Sequence, residues 1–425
     1  MHSAMLLRTL VLMKMTAVIV KGETDAEFEV KSYNSIVFLP RRTMRSDFWF
    51  VKAYLKSLIL VFVLGLSLTN ARAGDNIEFN RRATATAQIL AGISPGVGDP
   101  AIERLTKLEA FAEHEKWMAS QWSQVRNRIS ATESWRAHEV KIPNAQNRTL
   151  LYPFSGPDFL NAYILFPDHP RYIFFSLERP GTLPDLESVT PAQFGKLLQD
   201  VRDAFHDIFQ RNYFITDYMN KQLTTPWLRG TVPVMATMMA LMNLRIVRIE
   251  PIDLFPDLTR AYDAPDATHH PRRIMRSVRI DFVGANGGTP QQLYYISLDA
   301  TDKALEFYPG FLDWVGRHRP ATALLKSASY LLHDNQFEKV RAIILATADF
   351  VVQDDTGIPF RFLNQPPWHV KLYGRYNKPT MKGLRYGYQP DLEAAYKAKP
   401  DLAELPFPFG YHWKGRQSGL IMANR

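Results

Sequence analysis

The sequence predicts an α/β protein in which a mixed sheet carries helices on both faces and a helical N-terminal segment precedes it. Three observations predict this. Residues 149–154 (TLLYPF) and 172–177 (YIFFSL) are continuous apolar runs of strand length, as expected of strands covered on both faces. Residues 190–209 have the period of an amphipathic helix behind a capping signal. Residues 278–283 and 293–298, around the turn GANGGTP, read as an antiparallel hairpin. The composition agrees. With 46% apolar and 22% charged residues in a chain of 425, a disordered, collagen-like or polytopic membrane protein is excluded.

The first element is an address. Arg45, Lys52 and Lys56 form a basic flank, and residues 58–68 form an apolar run interrupted only by Gly65 and Ser67. The run is about half of the ~20 residues that span a bilayer. Ala71 and Ala73 stand at the −3 and −1 positions that signal peptidase accepts, so cleavage is expected between Ala73 and Gly74. Met44 begins a signal peptide of conventional length by itself, which makes residues 1–43 a dispensable extension or an over-extended gene start. The expected product is a periplasmic or secreted protein with no stable membrane anchor after cleavage.

The absence of cysteine excludes disulfides, thiolate metal sites and a lipoprotein anchor. The whole chain carries 51 basic and 42 acidic residues, but ten of the basic and five of the acidic ones precede Gly74. The mature chain therefore holds 41 against 37, a net +4, and the case for a nucleic-acid partner falls away.

The mature chain divides into a helical N-terminal segment (74–148), a main α/β domain (149–375) and an irregular C-terminal wrap (376–425). Asp99-Pro100 is a helix start, with a capping Asp and Pro at the first position. Leu105, Leu108, Ala112, Met118, Trp122, Val125 and Ile129 continue it as one long amphipathic helix. The two apolar strands enclose a turn (SGPD, 155–158) and a short helix at 159–166, a βαβ unit with a right-handed crossover. Thr190-Pro191-Ala192-Gln193 is a capping box for the helix whose inner face is Phe194, Leu197, Leu198, Val201, Phe205, Ile208 and Phe209. Residues 232–244 are apolar all round and predict a buried helix, in which Met235, Met238, Met239 and Met242 are core; a strand follows at 245–252. Residues 256–273 read as an exposed loop. Residues 321–332 are ambiguous between strand and helix, Asn335 caps a further helix, and strands are expected at 350–353 and 369–373. Together these elements predict a three-layer, Rossmann-like arrangement.

Four constellations carry potential chemistry. In the first, Ser155, Gly156 and Asp158 form the turn after one strand and Glu178 ends the next. A helix N-terminus there can face a phosphate or carboxylate, while the acid takes ribose hydroxyls. This layout resembles the opening of class I methyltransferases, with a terminal hairpin at 350–373 where that fold has one; the resemblance implies a nucleoside-containing cofactor in that turn. The chain departs from the pattern in having one glycine and in Pro157, which removes a backbone N–H, so a degenerate methyltransferase-like protein is the form it would take. Ser155 lacks the G-x-S-x-G context of a nucleophile elbow. Asp299, at the end of a later strand, is a further ligand-binding candidate at the strands' carboxyl edge.

In the second, Asp354 and Asp355 follow a strand. They do not match a calcium loop, and one can face a site while the other caps the turn. In the third, Lys326, Ser329 and His333 can share a helical face, giving a Ser-Lys or His-Asp pair or simply an internal hydrogen-bond set. The fourth, His269 and His270 with Asp263 and Asp266, lacks the geometry of a zinc site, and no metal is expected. Two function classes follow. One is a ligand-binding or envelope-associated protein whose partner is an unspecified small molecule or envelope component. The other is a periplasmic hydrolase using Asp354, Asp355, His333 and Lys326. The residues name no cofactor.

Overall fold

The structure, a computed structural model, describes residues 80–96, 99–252, 276–379, 387–399, 401–414 and 417–425. All of these belong to one compact unit, Asp75–Arg425. The export signal expected at 44–73, the extension before it and the loop at 256–273 lie outside the described residues, as do His269, His270, Asp263 and Asp266.

The helical segment comprises α1 (Arg81–Leu90), α2 (Pro100–Thr106) and α3 (Glu109–Glu139). Asp99 caps α2 through its carboxylate on the Ala101 N–H at 2.9 Å, with Pro100 at the first position. The single helix expected from Asp99 to Ile129 is broken between α2 and α3. Leu108 adopts extended backbone (ψ 143°) yet still packs against the core, so the apolar period runs across a break that it cannot reveal.

The βαβ unit forms as expected from β1 (Thr149–Pro153), α4 (Phe159–Leu165) and β2 (Arg171–Ser176). Then come α5 (Pro191–Arg211), with the Thr190/Gln193 capping box in place, α6 (Thr216–Gln222) and α7 (Thr231–Leu241), which is buried from Thr231 to Ala240. An antiparallel meander follows: β3 (Leu244–Ile252), β4 (Arg276–Gly284) and β5 (Gly287–Ser297). After α8 (Asp302–Leu305) and α9 (Pro309–Gly316), the ambiguous segment resolves into β6 (Ala321–Leu325) and a 3₁₀ turn, Ser327–His333. The chain ends in α10 (Glu338–Thr347), β7 (Ala348–Gln353), β8 (His369–Gly374), α11 (Pro390–Lys397) and β9 (Gly419–Asn424).

These strands form one nine-stranded sheet in the order β3-β4-β5-β2-β1-β6-β7-β9-β8. The run β5-β2-β1-β6-β7 is parallel throughout. Residues 350–373 do not make a hairpin: β9 lies antiparallel between β7 and β8. The C-terminal part is therefore not an irregular wrap, since it supplies an inner strand. Gly419–Asn424 carries the same short apolar signal as β1, but it stands amid Gly, Tyr and basic residues that hide it.

Alternation along the central strands feeds two cores. Leu150, Tyr152, Tyr172 and Phe174 pack with Phe159, Phe194 and Met235 on one face. Leu151, Ile173 and Phe175 pack with Phe311, Val340 and Leu363 on the other. Cover on both faces is why the strands read as unbroken apolar runs.

Three histidines are held neutral by burial. His114, whose Nε2 lies 2.9 Å from the Leu90 carbonyl, and His333 are lowered to about 4, and His169, 2.9 Å from Thr322 Oγ1, to about 3. The unfolded chain binds these protons near pH 6.5 and the native one only near 4 or below, so stability rises with pH across that window. Each histidine contributes roughly 3 kcal/mol. Asp354, raised to about 6 by burial and then by Asp355, and Glu178, raised by burial, act with the opposite sign, and two carboxyls against three imidazoles do not reverse the slope. We expect a lower urea midpoint at pH 4.5 than at pH 7; an equal or higher midpoint contradicts the buried, neutral state of these rings.

Candidate functional site

The strand order reverses between β1 and β6. From β1 the chain moves to β2 and then β5 on one side, and later crosses to β6 and β7 on the other. In open α/β sheets such a reversal, at the carboxyl ends of the strands, is where ligands bind. Both strands flanking it end in a non-glycine residue with positive φ: Phe154 (56°) after β1 and Ser327 (59°) after β6. Backbone strain of this kind needs surrounding structure to hold it.

After β1 the turn is stitched to β2. Ser155 Oγ donates to the Gly156 carbonyl at 2.9 Å, and the Gly156 N–H donates to Ser176 Oγ at 3.0 Å. Ser176 Oγ donates in turn to Glu178 Oε2 at 2.5 Å, and the Tyr295 hydroxyl to the Glu178 carbonyl at 3.0 Å. Burial raises the Glu178 carboxyl above its ordinary range. The donor and the acid expected to meet a nucleotide are thus engaged with each other through Ser176.

Asp158 closes the turn and caps α4. Its Oδ1 accepts from the Asn161 N–H at 3.2 Å and from Asn161 Nδ2 at 2.8 Å. Its Oδ2 accepts from the Tyr152 hydroxyl at 2.9 Å and from Lys326 Nζ at 2.6 Å. The side chains of this ion pair are 3% and 1% exposed. Burial draws Lys326 below its ordinary value while Asp158 opposes the shift, and burial beside Asp158 drives the Tyr152 hydroxyl well upward. Arg128 of α3 feels the Asp158 charge. Its guanidinium donates to the Ile208 and Phe209 carbonyls at 3.2 Å, completing the C-terminal end of α5.

After β7 the chain turns around Asp354. Its Oδ1 accepts from the Thr356 N–H at 2.9 Å and from the Thr356 hydroxyl, and its Oδ2 from the Ser327 N–H at 3.0 Å. Gln353 braces the turn with paired bonds to Ile358, and Gln389 Nε2 donates to the Asp355 carbonyl at 2.9 Å. Asp354 is therefore the turn-capping acid, and Asp355 points the other way, with Oδ2 3.7 Å from His412 Nε2. That separation exceeds a hydrogen bond, but the carboxylate still raises the His412 pKa.

The structure brings Asp158 and Lys326 into direct contact and places Asp354 close enough to influence both Lys326 and Tyr152. The helical face expected to join Lys326, Ser329 and His333 does not form. Lys326 keeps the extended backbone of β6, and Ser329 Oγ accepts its N–H at 2.9 Å. His333 meets the turn after β7 at the Gly357 backbone. Asp299 lies beyond β5, with β2 between β5 and β1, and its Oδ1 accepts from the Thr301 N–H at 3.0 Å. Sequence reasoning missed Tyr152, Arg128, Ser327 and His412. A tyrosine inside a wholly apolar strand signals a hydroxyl that needs a partner; His412 carries no comparable signal. Among the described residues, no group of three or more His, Asp or Glu side chains could hold a metal ion.

Removing one member of a buried ion pair strands the other. Lys326→Met should cost about 3–5 kcal/mol in urea unfolding, and adding Asp158→Asn should recover a large part of it. Strictly additive losses would show that the two charges do not support each other.

The chain matches no protein-family model, no curated protein and no solved structure.

Proposed function

We propose that this is an exported ligand-binding protein on a Rossmann-like, three-layer scaffold, with its ligand held at the carboxyl ends of β1, β6 and β7. The observation that carries the reading is the gathering of buried charge at one place. Asp158, Lys326, Arg128, Asp354 and Asp355 all lie at or beside the carboxyl end of the strands flanking the reversal. Buried charge is costly, and ionisable groups gathered at such a position are what a binding site at the carboxyl edge of an open sheet presents. Five parallel strands with an apolar core on each face support the scaffold. Processing after Ala73 rests on the small residues Ala71 and Ala73 behind the apolar run, and none of the described helices is long and apolar enough to cross a membrane.

The hydrogen bonds favour a ligand other than a nucleotide in the β1 turn. Asp158 places its own carboxylate at the start of α4, and Lys326 neutralises it. A second reading, a methyltransferase-like fold that has lost its cofactor site, rests on one observation: the antiparallel strands β9 and β8 extend the sheet beyond β7, where the resemblance places a terminal hairpin.

Expressed from Met1 in a bacterial host, the protein should appear in the osmotic-shock fraction and begin at Gly74. A start at Met1 or Met44 refutes processing. For binding, melting temperatures should be measured against panels of sugars, amino acids, dicarboxylates, nucleosides and short-chain esters. At 100 times Kd a ligand stabilises by about 2.7 kcal/mol. At least one class should raise the melting temperature, and Asp355→Asn should reduce that rise. No response to any class, or one untouched by the substitution, removes this site assignment.

A further inference from the structure

We infer that Ser327 is a nucleophile served by His412 and Asp355, and that the ligand class is a carboxylic ester which the protein cleaves. The inference rests on the ligand lying at the β1-β6-β7 edge, and it adds a reaction to that reading.

The first argument is the backbone. Ser327 occupies the step from β6 into the 3₁₀ turn with φ 59°, a conformation that costs an L-residue about 1–2 kcal/mol. A serine with positive φ at a sharp strand-to-helix step shares the backbone conformation of a nucleophile elbow, although Ser327, like Ser155, lacks the flanking glycines of that motif. The step is held from two sides: the Ser327 N–H is bound by Asp354 Oδ2, and the preceding Lys326 is anchored through Nζ on Asp158 and through its N–H on Ser329 Oγ.

The second argument is what these groups lack. Ser327 is 5% exposed, and its Oγ has no hydrogen-bond partner. Asp355 Oδ2 and His412 Nε2 are likewise shielded and unpartnered, 3.7 Å apart. A buried polar atom left unpaired costs about 1–3 kcal/mol, so the Ser327 hydroxyl asks for an occupant, while Asp355 and His412 face each other as an acid-histidine pair.

The third argument is their assembly around one carboxylate. Asp354 Oδ2 holds the Ser327 amide and also lies against Gly410, where a Cβ would stand 1.9 Å from it. Gly410 precedes His412 by two residues, and Asp355 follows Asp354. Serine, acid and histidine thus reach the same edge from the ends of β6 and β7 and from the segment before β9, and this constellation recurs on unrelated folds. The segment that carries His412 is pinned by the Asn212 side chain on the Pro408 carbonyl at 2.9 Å and by Tyr411 against Tyr213.

In the reaction, Ser327 Oγ adds to the ester carbonyl carbon as His412 takes its proton. The bond to the alkoxy oxygen breaks, and the departing alcohol takes that proton from His412. Water then adds to the acyl-serine, giving its proton to His412. The carboxylic acid leaves, and Oγ recovers the proton.

The test uses the mature chain from Gly74, a fluorophosphonate probe read by intact mass and peptide mapping, and p-nitrophenyl acetate and butyrate as substrates. Labelling should map to Ser327. Ser327→Ala should abolish both labelling and turnover, and His412→Gln should slow turnover by about a hundredfold or more. Ser327→Gly relaxes the strained backbone, so it should abolish labelling while raising the melting temperature, which separates lost chemistry from lost folding. Esters that raise the melting temperature without labelling or turnover overturn the nucleophile and leave the binding site standing. Absence of binding and labelling together overturns both, and a label mapped to another residue overturns the inference.

Discussion

The ion pair between Lys326 and Asp158 is the constraint on which the centre of this molecule depends. It joins the ends of β1 and β6 where the strand order reverses and the connections on either side of two neighbouring strands diverge. Without it, two charges would sit in an apolar interior with nothing to offset their lost hydration. With it, each charge also orders its neighbours. Asp158 fixes Tyr152 and the start of α4, while Lys326 fixes the strained step that follows β6.

Around that pair the polar groups form two sets with different duties. Ser155, Gly156, Ser176 and Glu178 satisfy one another within the β1 turn. Asp354 satisfies the turn after β7 and the Ser327 amide, which leaves Asp355, His412 and the Ser327 hydroxyl with unspent hydrogen-bonding capacity. The division follows from adjacency: neighbouring side chains on an extended segment point in opposite directions, so a pair of aspartates can serve the fold with one carboxylate and a ligand with the other.

The sequence disclosed the parts whose signals are local. Continuous apolar runs marked β1 and β2, a capping box marked α5, and an all-round apolar stretch marked α7. It concealed what depends on distant partners. The break at Leu108 keeps the apolar period intact, and β9 shows no sign in sequence of the two strands it will separate. The same holds at the site. Asp158, Lys326, Asp354 and Asp355 stood out as polar residues at the ends of apolar strands. Ser327 became conspicuous only once its φ was known, and His412 only once the segment carrying it was seen beside Asp355.

The placement of β9 has a consequence for how the chain acquires its structure. β8 leaves β7 without pairing to it and has β9 as its ladder partner, so the β8 edge must wait for a strand synthesised much later. The polar edge around Asp354 thus depends for its frame on residues near the far end of the sequence, since β9 supplies the ladder partner of both β7 and β8.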